Sequence, residues 1–188
     1  MDITTNKNIV GKLELIMGPM FSGKSSELIK KIRLFRVINK NVLVIKPTID
    51  TRYDKNRIVT HNNEQSDCVI IDDLSKIDSE IIKIYDIIII DEGQFLLNLK
   101  INVINWVEKL NKHVIISGLD CDFQRNPIGE MLDLIPYADQ YKKYVALCKY
   151  CSDGTEAIFS KRITNSTEQF LIGDENEYVS VCRYHYLH

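Results

Sequence analysis

The stretch "LIMGPMFSGKSSELIKKI", residues 15–32, decides the fold. Within it Gly18, Gly23, Lys24 and Ser25 stand in the spacing G-x-x-x-x-G-K-S, the pattern of a loop that wraps nucleotide phosphates. An apolar run at 13–17 (LELIM) precedes it, and Leu28, Ile29, Ile32 and Phe35 follow at helical period, so the loop is expected between a strand and a helix. Glycine is needed at 18 and 23 because the backbone must turn tightly and present its N–H groups to phosphate oxygens, where a Cβ would collide or forbid the dihedrals. Lys24 can then reach the β and γ phosphates, and the Ser25 hydroxyl can coordinate Mg²⁺. The helix aims its positive N-terminal end at the same anions.

Working outward, "NVLVIK" (41–46), "YDIIIID" (85–91) and "HVIISGLD" (113–120) are short, rich in β-branched residues and nearly all apolar. Such runs read as strands buried on both faces of a parallel sheet. "LKINVINWVEKL" (99–110) has helical spacing, which gives the β-α-β alternation of an α/β layer fold. The character changes after Leu147. "EAIFSKRI" and "EQFLIG", separated by the turn-rich "TNST", suggest a small unit built on a β-hairpin. Two units are therefore expected, a nucleotide-binding domain over 1–147 and a smaller one over 148–188.

A chain of 188 residues, 45% hydrophobic and 27% charged, is long enough for one sizeable core. Its 24 basic and 26 acidic residues leave a formal charge of −2, which disfavours nucleic acid as a bulk partner. No apolar run approaches the roughly 20 residues of a membrane helix. The N-terminal "MDITTNKNIVGK" also lacks the apolar segment of a signal peptide, so a soluble cytoplasmic protein without a membrane partner is expected.

The run "IIIID" ends at Asp91, where a phosphate-loop protein holds Mg²⁺ from the opposite side, usually through water. Glu92 follows and is placed to accept a proton from an attacking hydroxyl. The segment 48–61 offers Arg52, Arg57 and His61 as cations for a migrating phosphoryl group. Cys148 and Cys151 form C-x-x-C, and Cys182 and His185 form C-x-x-H, the layout of a tetrahedral structural Zn²⁺ site with no open position. His188 is a weaker alternative to His185, near the chain end. Cys68 and Cys121 lack paired partners, and His113 opens an apolar strand and reads as structural.

With these residues assembled, the chain resembles the type II thymidine kinases, the cellular thymidine kinase 1-like group. The matching segments are "GPMFSGKS" (18–25), "DTRY" (50–53), "TH" (60–61), "DEGQF" (91–95), "GLDCDFQRNPIG" (118–129), "CKYC" (148–151), "SKR" (160–162) and "YVSVCRYH" (178–185), in the family's order. The resemblance implies a phosphate-loop, RecA-like α/β domain that transfers the γ-phosphate of ATP to the 5′-hydroxyl of thymidine or deoxyuridine with Mg²⁺. It implies Glu92 as general base; Gly18, Pro19, Met20, Phe21, Ser22, Gly23 and Lys24 around the phosphates; Ser25 and Asp91 for the metal; Asp50 and Arg52 beside the phosphates; and Gln94 lining the donor site. Phe123 matches the residue that packs on the thymine ring, with Met20 and Leu119 as apolar neighbours and Ser160 near the base.

The second unit is similar to the family's zinc-anchored lasso, which closes over the nucleoside. By position this is Gln169, Phe170, Leu171, Ile172 and Gly173, with Tyr178 reaching toward the sugar or base. Closure would exclude water and spare the phosphoryl group from hydrolysis. Gln169 stands where an apolar residue is more usual, Ser160 where Thr is common, and "CDF" at 121–123 is a local variation. A homotetramer and inhibition by dTTP are implied by the resemblance alone.

Rivals from other classes fit less well. "DEGQ" also satisfies the D-E-x-Q pattern of nucleic-acid-stimulated ATPases, but those motors need a second nucleotide-facing domain and a basic track. A GTP switch would need N-K-x-D, and the Asn-Lys pairs at 39–40 and 111–112 continue as Asn-Val and His-Val. A non-catalytic zinc module would leave the phosphate loop and Asp91-Glu92 unexplained.

Overall fold

The computed structural model describes residues 10–49, 68–169, 173 and 175–188. Its main sheet holds β1 (Lys12–Met17), β2 (Val42–Lys46), β3 (Cys68–Ile70), β4 (Ile87–Ile90), β5 (His113–Gly118) and β6 (Gln140–Lys143), in the order β3-β2-β4-β5-β1-β6. Every pairing in it is parallel. The strands read from apolar runs are therefore present, and because they are parallel their carboxyl ends share one edge.

Alternation along each strand sorts the core into two layers. Leu13, Leu15, Met17, Leu43, Ile45, Ile88, Ile90, Val114 and Ile116 face one side with Leu99, Val103 and Trp106 of α3 (Leu99–Glu108). Ile16, Val42, Val44, Ile87, Ile89 and Ile115 face the other, against Leu28 and Ile32 of α1 (Lys24–Val37). The isoleucine run at 87–90 is buried on both sides, as a central strand of a doubly covered sheet must be. A short α2 (Ser79–Ile84) is capped by the Asp78 side chain, which accepts from Glu80 N.

Sequence periodicity does not reveal β6 or β3. "QYKK" is exposed throughout and is a strand because its backbone pairs with residues 14–17 of β1, while "CVI" is only three residues long. The second unit differs from the local-hairpin expectation. The arm "EAIFSKRI" forms β8 (Glu156–Ala157) and β9 (Phe159–Arg162), but β8 pairs with β7 (Ala146–Leu147) and β9 pairs antiparallel with β10 (Tyr178–Val181). The "VSV" of β10 competes successfully because it brings buried side chains, among them Val181, to a small core with Ala146, Ala157 and Phe159. A terminal α4 (Arg183–Leu187) packs beside it, and Phe159 tilts against Tyr186 at 4.7 Å between ring centroids.

One buried acid lies on the α1 face of the sheet. Glu14 meets Lys31 of α1 at 2.7 Å, Lys12 at 2.6 Å and His113 Nε2 at 2.9 Å. Burial alone would raise its pKa, but the hydrogen bonds from Lys12 and Lys31 and the nearby positive charge hold it at about 2. His113 is shifted downward by burial against the pull of Glu14, so the sequence reading of a structural histidine fits its place.

We expect Glu14→Gln to cost about 2 kcal/mol of unfolding free energy near neutral pH, because Lys12 and Lys31 would then face each other without the carboxylate. The folded value lies below the ordinary 4.5, so the contribution is complete above that value and is lost as pH falls toward 2. Urea denaturation of both proteins should show the gap closing across that window; a pH-independent gap would mean that charge is not the cause.

Candidate active site

The phosphate-type loop leaves β1 at Gly18 and enters α1 at Lys24. Its two glycines serve different needs. A Cβ on Gly18 would sit 2.3 Å from the Tyr144 carbonyl oxygen, whereas Gly23 opens onto empty space but holds φ at +79°, a conformation that disfavours any other residue. Gly23 offers no side-chain cap to α1, and the first intrahelical bond runs from Glu27 N to Gly23 O, so the N–H groups ahead of it remain to serve an anion. Lys24 is buried, and its ammonium donates to Pro19 O at 2.7 Å, the carbonyl that also accepts from Ser22 Oγ at 2.8 Å. Phe21 projects outward with a left-handed backbone.

Across β5 lies the acidic half. Asp91 directly follows β4 and is buried. Its Oδ1 accepts from Ser117 Oγ at 2.5 Å and from Glu92 N at 3.1 Å, and its Oδ2 lies 3.8 Å from Lys46 Nζ. Glu92 takes a left-handed backbone (φ 53°) that turns the chain into the short 3₁₀ turn at Gly93–Phe95. Its Oε2 accepts from Gln94 Nε2 at 2.7 Å, and Gln94 Oε1 in turn accepts from Leu119 N at 3.0 Å. Gln94, read from sequence as donor-site lining, is thus placed as a bridge between Glu92 and the backbone after β5. Sequence reading gave no role to Ser117 or Lys46. The signal was present, since each is the polar residue at the carboxyl end of an otherwise apolar strand.

The second unit reaches the same edge. Ser160 Oγ on β9 accepts from Met20 N in the loop at 2.9 Å, joining two residues that had been assigned to the base pocket. Tyr186 Oη donates to Phe123 O at 2.8 Å, and Gln169 Nε2 donates to Asp122 Oδ2 at 3.1 Å. Asp122 is buried and also accepts from Gln124 N and Asn126 N, which gives the variant "CDF" segment and the variant Gln169 a shared purpose. Cys121 is pushed up to about 11, by burial first and then by Asp120, so its thiol stays protonated. Tyr178 is buried at the start of β10, and Gly173 packs against Glu177. Asp50, Arg52, Arg57, His61, Phe170, Leu171 and Ile172 lie outside the described residues.

Cys148, Cys151, Cys182 and His185 converge, with their ligand atoms all within 4.8 Å of one another. His185 Nδ1 lies 3.5, 3.4 and 3.5 Å from the three sulfurs, and Cys151 Sγ is 3.8 Å from Cys182 Sγ. A tetrahedral zinc ion with ordinary bond lengths would put S···N pairs about 3.6 Å and S···S pairs about 3.8 Å apart. The cluster fits. Burial disfavours charge on Cys148, yet N–H groups of Cys182, Cys151 and Tyr150 and the Cys151 thiol draw it down to about 6, while Cys151 is pushed up to about 11 by burial and by the two other thiols. Crowded sulfurs of this kind are what a divalent cation relieves.

A phosphate loop, an acidic pair and a four-ligand cluster define an α/β nucleotide-binding protein of the phosphate-loop class with an attached metal-type unit. The sequence profile of the family described as thymidine kinase matches residues 11–186. The chain is 43% identical over 185 residues to a thymidine kinase 1 from Dictyostelium discoideum, covering 93% of this chain and 77% of that protein. Over 173 residues it is 39% identical to a thymidine kinase from Mycoplasma mobile, covering 92% of this chain and 86% of the relative. A thymidine kinase of Yaba monkey tumor virus is also 39% identical over 173 residues, at 92% and 93% coverage. The chain belongs to the thymidine kinase family. The resemblance carried by the sequence motifs is borne out, as is the α/β fold.

Gly118 closes β5 where the Gln94 amide crosses it, and a Cβ there would lie 2.4 Å from Gln94 Oε1. Gly118→Ala should therefore cost about 1–3 kcal/mol of stability by forcing that buried amide aside. Chemical denaturation measures this, and an unchanged midpoint would show that the bridge can be rearranged freely.

Proposed function

We propose that this chain transfers the γ-phosphoryl group of ATP to the 5′-hydroxyl of thymidine or deoxyuridine, giving the 5′-monophosphate and ADP for DNA synthesis. The observation that carries this reading is the convergence, at one sheet edge, of the Lys24 loop, the Asp91-Glu92 pair and the β9 hairpin, joined through Met20 N and Ser160 Oγ. The loop amides, Lys24 and Arg52 hold the donor phosphates, with Asp50 beside them. The nucleoside lies against Phe123, Met20 and Leu119 with Ser160 and Tyr178 nearby, and residues 169–173 form its cover.

Glu92 accepts the 5′-hydroxyl proton as the oxygen forms its bond to the γ-phosphorus and the bond to the β–γ bridging oxygen breaks. Gln94 fixes the carboxylate through its 2.7 Å hydrogen bond, so the base needs little reorientation during the reaction. Lys24 leaves a neutral carbonyl for the phosphates when ATP enters, gaining an ionic partner in a buried setting. Mg²⁺, when bound, would neutralise charge on the phosphates, with the Ser25 hydroxyl and the Asp91 carboxylate as the groups to hold it. Zn²⁺ would be held by Cys148, Cys151, Cys182 and His185, with no position left for chemistry.

In this reading residues 1–147 form the nucleotide-binding domain and 148–188 the lasso, although β7 at 146–147 already pairs within the smaller sheet. The cytoplasmic setting, the homotetramer and feedback by dTTP belong to the same proposal. They rest on the family resemblance.

Glu92→Gln should cut kcat at least about a hundredfold while leaving ATP binding within a few-fold, in steady-state assays and ATP titrations. Equal turnover would remove Glu92 as base. A panel of thymidine, deoxyuridine, deoxycytidine and deoxyguanosine should show strong preference for the first two. Elemental analysis should find one zinc per chain, and Cys148→Ser should lower it and raise the thymidine KM. A zinc-free protein that folds normally would refute the metal reading.

A further inference from the structure

We propose that Arg162 is the positioning residue for the nucleoside, gathering both ends of the covering segment onto one guanidinium plane and setting that plane against the Phe123 ring. This rests on the reading above that places the nucleoside between Phe123 and residues 169–173.

Arg162 closes β9 and is only 9% exposed. Its Nη1 donates to the carbonyl oxygens of Ser166, at 3.1 Å, and Glu168; its Nη2 donates to that of Gln169, at 3.3 Å. Nε and Nη2 both donate to Tyr178 Oη, the former at 3.2 Å. The chain enters the covering segment through 166–169 and leaves it at Tyr178, so one side chain holds the entry and the return. The flat face of the guanidinium lies 3.9 Å from the Phe123 centroid. A nucleobase stacking on that ring must therefore use the face that Arg162 leaves open.

Among the described residues these acceptors are all neutral. A buried cation served by carbonyls and a phenol, with no carboxylate in the fan, is an expensive way to join two strands. It is well suited to aligning a row of backbone groups, because the five guanidinium donors lie in a rigid plane. Arg162 stabilises the segment in one geometry before substrate arrives, which reduces the ordering cost of closure. The effect therefore falls on nucleoside binding and leaves the phosphate site alone.

The test uses Arg162→Met and Arg162→Lys in the zinc-loaded protein. Both should raise the thymidine KM about tenfold or more while kcat, the ATP KM and zinc content stay within about twofold. Lys is expected not to rescue, since a point charge cannot reproduce the planar fork. Amide exchange at 166–169 should accelerate in both. If Met prevents folding, the Lys variant decides alone. An unchanged thymidine KM overturns the proposal, and so does a parallel loss of ATP binding or zinc, which would make Arg162 a general scaffold residue. Phe123→Leu separates the two readings: if it leaves the thymidine KM unchanged while the Arg162 variants raise it, the base placement fails and the hold on the segment stands.

Discussion

The register of three parallel strands is the constraint on which the site depends. β5 lies between β1 and β4, pairing Met17 with Gly118 on one side and Ile90 with Ile116 on the other. Continuing that register by one residue brings Asp91 level with Ser117, whose hydroxyl it accepts. The phosphate loop and the acidic pair thus leave the sheet two strand spacings apart, about 10 Å, a gap suited to a triphosphate tail. A slip of one residue would turn Ser117 to the opposite face and move every buried isoleucine of β4 with it, so the apolar core enforces the catalytic spacing. Core and site are specified by the same pairing.

The second unit depends on that edge for its position and on its own ligand cluster for its integrity. Its apolar core is small, drawn from Ala146, Cys148, Ala157, Phe159, Val181 and Cys182, and two of those residues are themselves metal-type ligands. Such a unit cannot bury enough surface to hold a shape without a cross-link. A tetrahedral ion joining the 148–151 turn to the 182–185 turn would supply one. Docking is then polar: Ser160 to Met20, Gln169 to Asp122, and Tyr186 to Phe123. Arg125 adds a cation–π contact, 4.8 Å from the Tyr186 ring centroid. Polar, short-range contacts suit a cover that must release product, because water can replace them at little net cost.

What could be read from the residues follows from how each element is stabilised. The loop at 18–25 and the runs at 42–46, 87–90 and 113–118 are legible because their own side chains demand burial, and the cysteine pairs because ligand spacing is local. Strand β6 was hidden because "QYKK" has no buried face; its pairing is owed to the backbone of β1. The hairpin partner was misread because "EQFLIG" alternates convincingly at short range, whereas the pairing of β9 with β10 is decided by a core that assembles across sequence. Gln94 and Arg162 illustrate the same limit within the site. Their partners are a neighbouring carboxylate and backbone groups, which leave no pattern of their own in the sequence.

Charge explains why such a site calls for an added cation. Lys24, Lys46, Asp91 and Glu92 are all buried at the sheet edge, two positive and two negative. In a region of low effective dielectric this balance lets the fold carry four ions that singly would be costly. It also leaves no surplus of positive charge among these four for a triphosphate. Lys24 can be released from Pro19 O, but Lys46 stands beside Asp91 and is committed to it. The incoming phosphates therefore need positive charge from elsewhere, which the Asp91 carboxylate is placed to hold as a divalent metal and which the segment carrying Arg52 can supply as guanidinium. A site neutral at rest and completed by its substrates stays stable when empty and gains its strongest electrostatic attraction only when donor and metal arrive together.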